Sequence, residues 1–142
     1  IDGGTGNDYL VGTINTTMTG GEGADIFQVF LRTRTPGTNT YSSPNYLTDF
    51  NPAEDKIYIE LNYFRVAYRD NLDEPGALSD AQFGIGAGPT TAEQRIIYNP
   101  ETGELQYFIS GNAGSPAGEI PLFAILPKGL DLSAENFMLI AP

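Results

Sequence analysis

The chain has 142 residues, of which 7 are Lys or Arg and 18 are Asp or Glu, giving a formal net charge of -11. This length fits one compact domain, and the negative charge argues against nucleic acid and anionic membrane surfaces as partners. The absence of Cys and His excludes disulfides, thiolate or imidazole catalysis and nitrogen or sulfur metal sites. Any bound metal must be held by oxygen, which favours a hard cation such as Ca²⁺.

A nine-residue repeat occurs twice near the start of the chain. Residues 3–11 read GGTGNDYLV and residues 20–28 read GGEGADIFQ, and both fit the pattern G-G-x-G-x-D-x-U-x, in which U is apolar. This pattern is that of a known calcium-binding β-helix nonapeptide. Residues 12–19 form a degenerate copy, with Met18 at the apolar position and Thr16 where the Asp would fall.

The composition of the repeat explains how it would hold a cation. Glycine allows left-handed backbone, so that carbonyl oxygens can converge in a tight turn, while the apolar residue, Leu10 or Phe27, faces the core. Because each nonapeptide forms half a coil, we expect the two copies to stack at strand spacing, about 4.8 Å. Asp8 and Asp25 would then face one another, and a Ca²⁺ ion between them would relieve their repulsion.

Two departures from the strict repeat limit this prediction to one calcium site. The copies begin 17 residues apart, which is one fewer than two nonapeptides, so we expect a slightly strained register. In addition, Thr16 leaves the opposite side of the coil without an acidic partner.

A polar segment follows the repeats. Residues 31–46 are rich in Thr, Ser, Pro, Asn and Gly, which predicts an exposed loop. This loop would separate calcium-binding repeats at residues 1–30 from a β-rich C-terminal cap at residues 47–142. The sequence opens without an initiator Met or a leader of charged and then apolar residues, so we expect a fragment of a longer protein.

A second acidic cluster begins the predicted cap. Asp49, Glu54 and Asp55 surround an Asn-Pro turn, and Asp49 and Asp55 are further candidate calcium ligands. An equally supported alternative is a solvated turn closed by a local Asx hydrogen bond, with Lys56 as counter-ion.

The rest of the cap has strand patterns. Residues 56–61 alternate apolar and polar side chains, which predicts a half-buried strand. Residues 95–98 and 105–109 flank a turn that contains Pro100 and Gly103, which predicts a hairpin.

Two short segments predict single helical turns, each opened by a serine cap, at residues 78–83 and 132–137. The run at residues 137–140 predicts a last strand. The longest strongly apolar run, at residues 120–126, contains a proline and is far shorter than the roughly 20 residues of a membrane span. The expected fold class is all-β, with a short parallel β-roll followed by a mixed or antiparallel β cap.

The two repeats resemble those of the repeats-in-toxin (RTX) family, whose members are exported by type I secretion. The stretches at residues 23–27, 47–50 and 55–57 are similar to the passage from the last repeats into the C-terminal cap of serralysin-type proteases. Residues 95–107 are similar to a hairpin near the end of many such chains. The resemblance implies a β-roll with Ca²⁺ between its turns and an export signal in the C-terminal cap.

The resemblance also implies the ligands and the role of the chain. Carried over by position, the ligands are the carboxylates of Asp8 and Asp25 and the carbonyl oxygens of Gly3, Thr5, Gly21 and Gly23. The implied function is a secreted, extracellular, non-catalytic module that folds on calcium and supports export by the type I secretion machinery. The alternative is a carbohydrate-binding or adhesion module that contacts polysaccharide or a cell surface through some of its 8 Tyr and 8 Phe.

Overall fold

The computed structural model describes residues 1–13, 15–30, 44–60, 75–108 and 122–140. Over these ranges the chain is mostly β-strand, with single 3-10 turns at Asp80–Gln82 and Ala134–Asn136. The all-β class is therefore confirmed. The strands are β1 (Tyr9–Val11), β2 (Thr17–Met18), β3 (Ile26–Phe30), β4 (Asn45–Leu47), β5 (Lys56–Glu60), β6 (Gly76–Ala77), β7 (Phe83–Ile85), β8 (Ile96–Tyr98), β9 (Glu104–Tyr107), β10 (Leu122–Ile125) and β11 (Phe137–Ile140).

The strands form two mixed sheets. The five-stranded sheet has the order β1-β3-β5-β11-β6, in which β6 runs antiparallel to β11 and the other pairs are parallel. The six-stranded sheet has the order β2-β4-β10-β9-β8-β7, with antiparallel pairs on both sides of β9 and parallel pairs elsewhere. The first five strands alternate between the two sheets along the chain.

Inward-facing apolar residues of both sheets form one core. Parallel pairing aligns Leu10, Phe27 and Ile57 on neighbouring strands, so the apolar positions of the two repeats and of β5 lie side by side. The predicted alternation of β5 is confirmed, because Ile57 and Ile59 are buried between more exposed neighbours. Leu61, the last residue assigned to this strand, lies outside the described residues.

The predicted hairpin is also confirmed. Strands β8 and β9 pair antiparallel, with Ile96 opposite Tyr107. Gly103 in the connecting turn has φ 82°, which is left-handed backbone that favours glycine. Ile109, at the end of the predicted second strand, lies outside the described residues.

Both predicted helical turns are present, with Ser79 and Ser133 at their N-cap positions. In the second turn the Asn136 side chain accepts a hydrogen bond from the Ser133 amide at 3.0 Å. Strand β11 follows at once, as predicted, and pairs with β5 on one side and β6 on the other. No described residues form a helix long and apolar enough to cross a membrane.

The predicted loop at residues 31–46 lies largely outside the described residues, which resume at residue 44. The proposed boundary between residues 46 and 47 falls inside β4. The five-stranded sheet runs without interruption from β1 and β3 into β5 and β11. The division into repeats, loop and cap stays a prediction, and the backbone places the second acidic cluster directly beside the repeats.

Candidate metal centre

The two glycine-rich turns stack on one another through parallel backbone pairing. Bridges between Asp2 and Thr19 and between Thr5 and Glu22 continue the ladder of β1 and β3 through the turns. Each bridged pair is 17 residues apart, as are the paired residues of the two strands. The register is therefore constant from residue 2 to residue 11, and the one-residue shortfall falls in the connecting residues 12–19.

Three aspartates follow one another across the five-stranded sheet, each immediately before a strand. Asp8 precedes β1, Asp25 precedes β3 and Asp55 precedes β5. The Asp8 amide donates to Asp25 Oδ1 at 2.9 Å, and the Asp25 amide donates to Asp55 Oδ1 at 2.9 Å. The structure thus brings the predicted pair together and adds a third member to the row.

One carboxylate oxygen of each repeat aspartate, Oδ2 of Asp8 and Oδ2 of Asp25, is buried without a hydrogen-bond partner. Asp25 as a whole is only 1% exposed. Each oxygen lies against the first glycine of its own turn, since a Cβ on Gly3 would come within 2.7 Å of Asp8 Oδ2 and one on Gly20 would overlap Asp25 Oδ2. A buried, unpaired carboxylate is costly, and a cation bound at these two oxygens would offset that cost.

The main-chain oxygens assigned as ligands are left unused by the pairing between the turns. The hydrogen bonds of that pairing are accepted by other carbonyl oxygens, such as those of Gly4 and Glu22. Among the described residues, no hydrogen bond is accepted by the carbonyl oxygens of Gly3, Thr5, Gly21 or Gly23. Together with Oδ2 of Asp8 and Oδ2 of Asp25, these four carbonyl oxygens would supply a set of oxygen donors of the size that Ca²⁺ takes, about 6 to 8. The residues present therefore fit a calcium ion.

Asp49, from the second acidic cluster, contacts the second glycine turn directly. Its Oδ1 accepts the Gly20 amide and its Oδ2 accepts the Gly21 amide, each at 2.8 Å. Just before it, the Thr48 and Thr19 hydroxyls form a hydrogen bond at 2.6 Å. Residues 48–55 are therefore a third turn stacked on the second and joined to it by hydrogen bonds.

Asp55, the other predicted ligand of this cluster, also has both carboxylate oxygens engaged. Oδ1 accepts the Asp25 amide, and Oδ2 accepts the Asn51 amide at 2.8 Å. Burial raises the pKa of the Asp55 carboxyl above its ordinary value, and the charges of Asp25 and Asp49 add to the rise, although the two amides oppose it. The neighbouring acids thus disfavour the ionised form of Asp55.

The alternative reading of this cluster, a locally closed turn, is confirmed in its Asx hydrogen bond. Asn51 Oδ1 accepts the Ala53 amide at 3.1 Å, and the Asn51 side-chain amide donates to Glu54 at 3.2 Å. Lys56, expected as a counter-ion, donates instead to the backbone carbonyl of Glu135 at 2.7 Å. The turn is therefore closed by local hydrogen bonds.

Two asparagine side chains link separate segments of the chain, and neither was predicted from the sequence. Asn7 Oδ1 accepts the Ala24 amide at 2.8 Å and so joins the two repeat turns, but it occupies a variable position of the repeat. On the opposite side of the coil, where the Asp is missing, Asn45 Oδ1 accepts the Thr16 amide at 3.2 Å. The place of Asp55 in the row could have been found, because it precedes an apolar position by two residues, as in both repeats.

Among the described residues, no group of three or more His, Cys, Asp or Glu side chains is arranged to hold a metal. The candidate centre instead combines two carboxylates with main-chain oxygens. Comparisons of the chain with protein-family models, curated proteins and solved structures found no match. The resemblance to RTX proteins therefore stays a prediction based on the repeats.

Proposed function

We propose that the chain is a non-catalytic calcium-binding module, in which one Ca²⁺ ion is held between the first two stacked turns by Asp8 and Asp25. The observation that carries this proposal is the pair of buried carboxylate oxygens without partners, one in each turn. Oxygen-only donors favour a hard cation, and a turn rich in main-chain carbonyls suits Ca²⁺ better than the smaller Mg²⁺.

The arrangement of the first five strands supports a short β-roll of the RTX type. These strands alternate between the two sheets, and β1, β3 and β5 are parallel neighbours in one sheet while β2 and β4 are parallel neighbours in the other. The passages from β2 to β3 and from β4 to β5 then each correspond to half a coil. The glycine turns lie at one side of this coil, where calcium would be bound.

Calcium would act as a folding switch for this module. Glycine-rich turns lose much conformational entropy on ordering, and the unpaired carboxylates add an electrostatic cost when no metal is bound. Extracellular calcium modules bind at about 10⁻⁴ to 10⁻³ M, so the turns would be loose at low calcium and closed at high calcium.

We expect the circular dichroism of the chain to lose strand signal in excess EGTA and to recover it in millimolar Ca²⁺, because the stacked turns need a cation between Asp8 and Asp25. Magnesium at the same concentration is the matched control and should restore little, since it dehydrates reluctantly and demands stricter geometry. A spectrum that is identical in EGTA and in calcium, with no heat of calcium binding, would contradict the proposal.

The proposal extends to export by a type I system, with the signal in the C-terminal cap. In the folded chain β10 and β11 are hydrogen-bonded inside the two sheets, so the signal would be read before folding. We expect residues 80–142 fused to a passenger to leave a cell that has such a system. Retention of the fusion inside that cell would remove this part of the proposal.

The alternative role in binding carbohydrate stays a prediction. Tyr9 is 51% exposed, and its ring packs edge to face against Tyr58 with centroids 5.9 Å apart. The Tyr9 hydroxyl donates to the Gln28 side chain on the strand between them. This outer face of the five-stranded sheet is the surface that a sugar would use in that alternative.

A further inference from the structure

The second glycine turn is hydrogen-bonded to the first turn on one side and to the third turn on the other. The Asp25 amide donates to Asp55, and the Asp25 carbonyl accepts the Lys56 amide at 2.9 Å. On its other side, Asp25 Oδ1 accepts the Asp8 amide. Oδ2 is the one polar atom of Asp25 that remains for a cation, and two of the three contacts that fix Asp25 come from Asp55 and Lys56.

Asp49 fixes the other end of the same turn. Its two oxygens hold the successive amides of Gly20 and Gly21, whereas the amide of Gly3, the equivalent residue of the first turn, donates to the carbonyl of Thr19. Gly20 is the residue against which Asp25 Oδ2 lies. A shift of Gly20 would therefore move the oxygen that is proposed to bind the ion.

We infer that Asp49 and Asp55 are positioning residues of the calcium site and not ligands. This inference rests on the proposed function. All their carboxylate oxygens accept backbone amides, and these charge-assisted bonds are stronger than neutral ones. They hold the second turn in the geometry in which Asp25 meets the ion. The ion is then bound between the first two turns, and the third turn completes the stack by amide bonds alone.

Terbium binding to the whole chain tests this inference, because Tb³⁺ replaces Ca²⁺ and its luminescence is excited through nearby tyrosines. Lifetimes in H₂O and D₂O count the water molecules on the ion, and a titration gives its affinity. For Asp49→Asn and Asp55→Asn we expect an affinity about tenfold weaker, the usual effect of losing an outer-shell partner, with an unchanged number of bound waters. For Asp25→Asn we expect weaker binding together with an additional bound water.

Glu54→Gln is the matched control, since it removes one negative charge from the same turn. Glu54 accepts a hydrogen bond from the side chain of Asn51 within its own turn. We expect the Tb³⁺ affinity of Glu54→Gln to stay within about twofold of that of the unmodified chain, because the charge that is removed is exposed. The free energy of unfolding measured in excess EGTA should fall for Asp49→Asn but not for Glu54→Gln, which provides a readout that does not depend on bound metal.

Several outcomes would overturn the inference. An extra bound water in Asp49→Asn or Asp55→Asn would make that residue a ligand, and an affinity equal to that of Glu54→Gln would deny it any role at the site. Failure of both variants to fold at saturating Tb³⁺ would also count against it, because excess metal should compensate a tenfold loss. If the unmodified chain binds neither Tb³⁺ nor Ca²⁺, the proposed function itself fails.

Discussion

Replacement of Gly21 by alanine is expected to separate the two repeat turns and to destabilise the calcium-loaded chain by about 3 kcal/mol or more. Gly21 has φ 94°, and a Cβ there would overlap the carbonyl oxygen of Gly4 in the turn beneath. This oxygen belongs to the backbone and also accepts the Glu22 amide, so it cannot rotate away. Denaturant unfolding in millimolar Ca²⁺ measures the loss.

The first turn offers a matched control for this substitution. Gly4 has nearly the same φ, 95°, but a Cβ there meets nothing within 4 Å. Gly4→Ala should therefore show the backbone cost alone, about 1 to 2 kcal/mol. The difference between the two variants isolates the close approach of the stacked turns. Equal losses for Gly4→Ala and Gly21→Ala would show that the turns do not stack as described.

Exchange of Asp25 for asparagine is expected to change stability in opposite directions with and without calcium. In excess EGTA the substitution removes a buried negative charge that has no partner at Oδ2 and that lies beside Asp55. We expect the free energy of unfolding to rise by about 1 to 3 kcal/mol. In Ca²⁺ at about 100 times its dissociation constant, the loss of a charged ligand should instead remove most of the roughly 2.7 kcal/mol that binding contributes.

Thermal and denaturant unfolding in both buffers check this reversal of sign. Glu101→Gln, which removes an exposed acid in the β8–β9 turn, serves as the control and should have little effect in either buffer. Destabilisation by Asp25→Asn in both buffers would mean that the carboxylate has a structural role only, and it would remove the link between Asp25 and calcium.

Local chemistry explains the parts of the fold that could be predicted. The β8–β9 hairpin follows from Pro100 and Gly103 in its turn, and β5 follows from its alternating side chains. The stacking of the repeats follows from two copies of one short pattern. In each case the signal lies within one short stretch of the chain, so no knowledge of distant pairing is needed.

Pairing between distant segments could not be predicted. Strand β11 lies between β5 and β6, and the Asn136 side chain donates to the carbonyl of Pro52 at 2.9 Å, although these residues are 84 positions apart. No periodic pattern encodes such a contact, because it depends on how whole sheets assemble. For the same reason the contacts of Asp49 with the amides of Gly20 and Gly21, and of Asp55 with the amide of Asp25, emerge only from the stacking.

The most direct test is a crystal structure of the chain grown with calcium. The proposed site predicts one ion between the first two turns, about 2.3 to 2.6 Å from Oδ2 of both Asp8 and Asp25, with Asp49 still bound to the amides of the second turn. The same stacked turns without metal density at those oxygens, or an ion held by Asp49 and Asp55 instead, would contradict it.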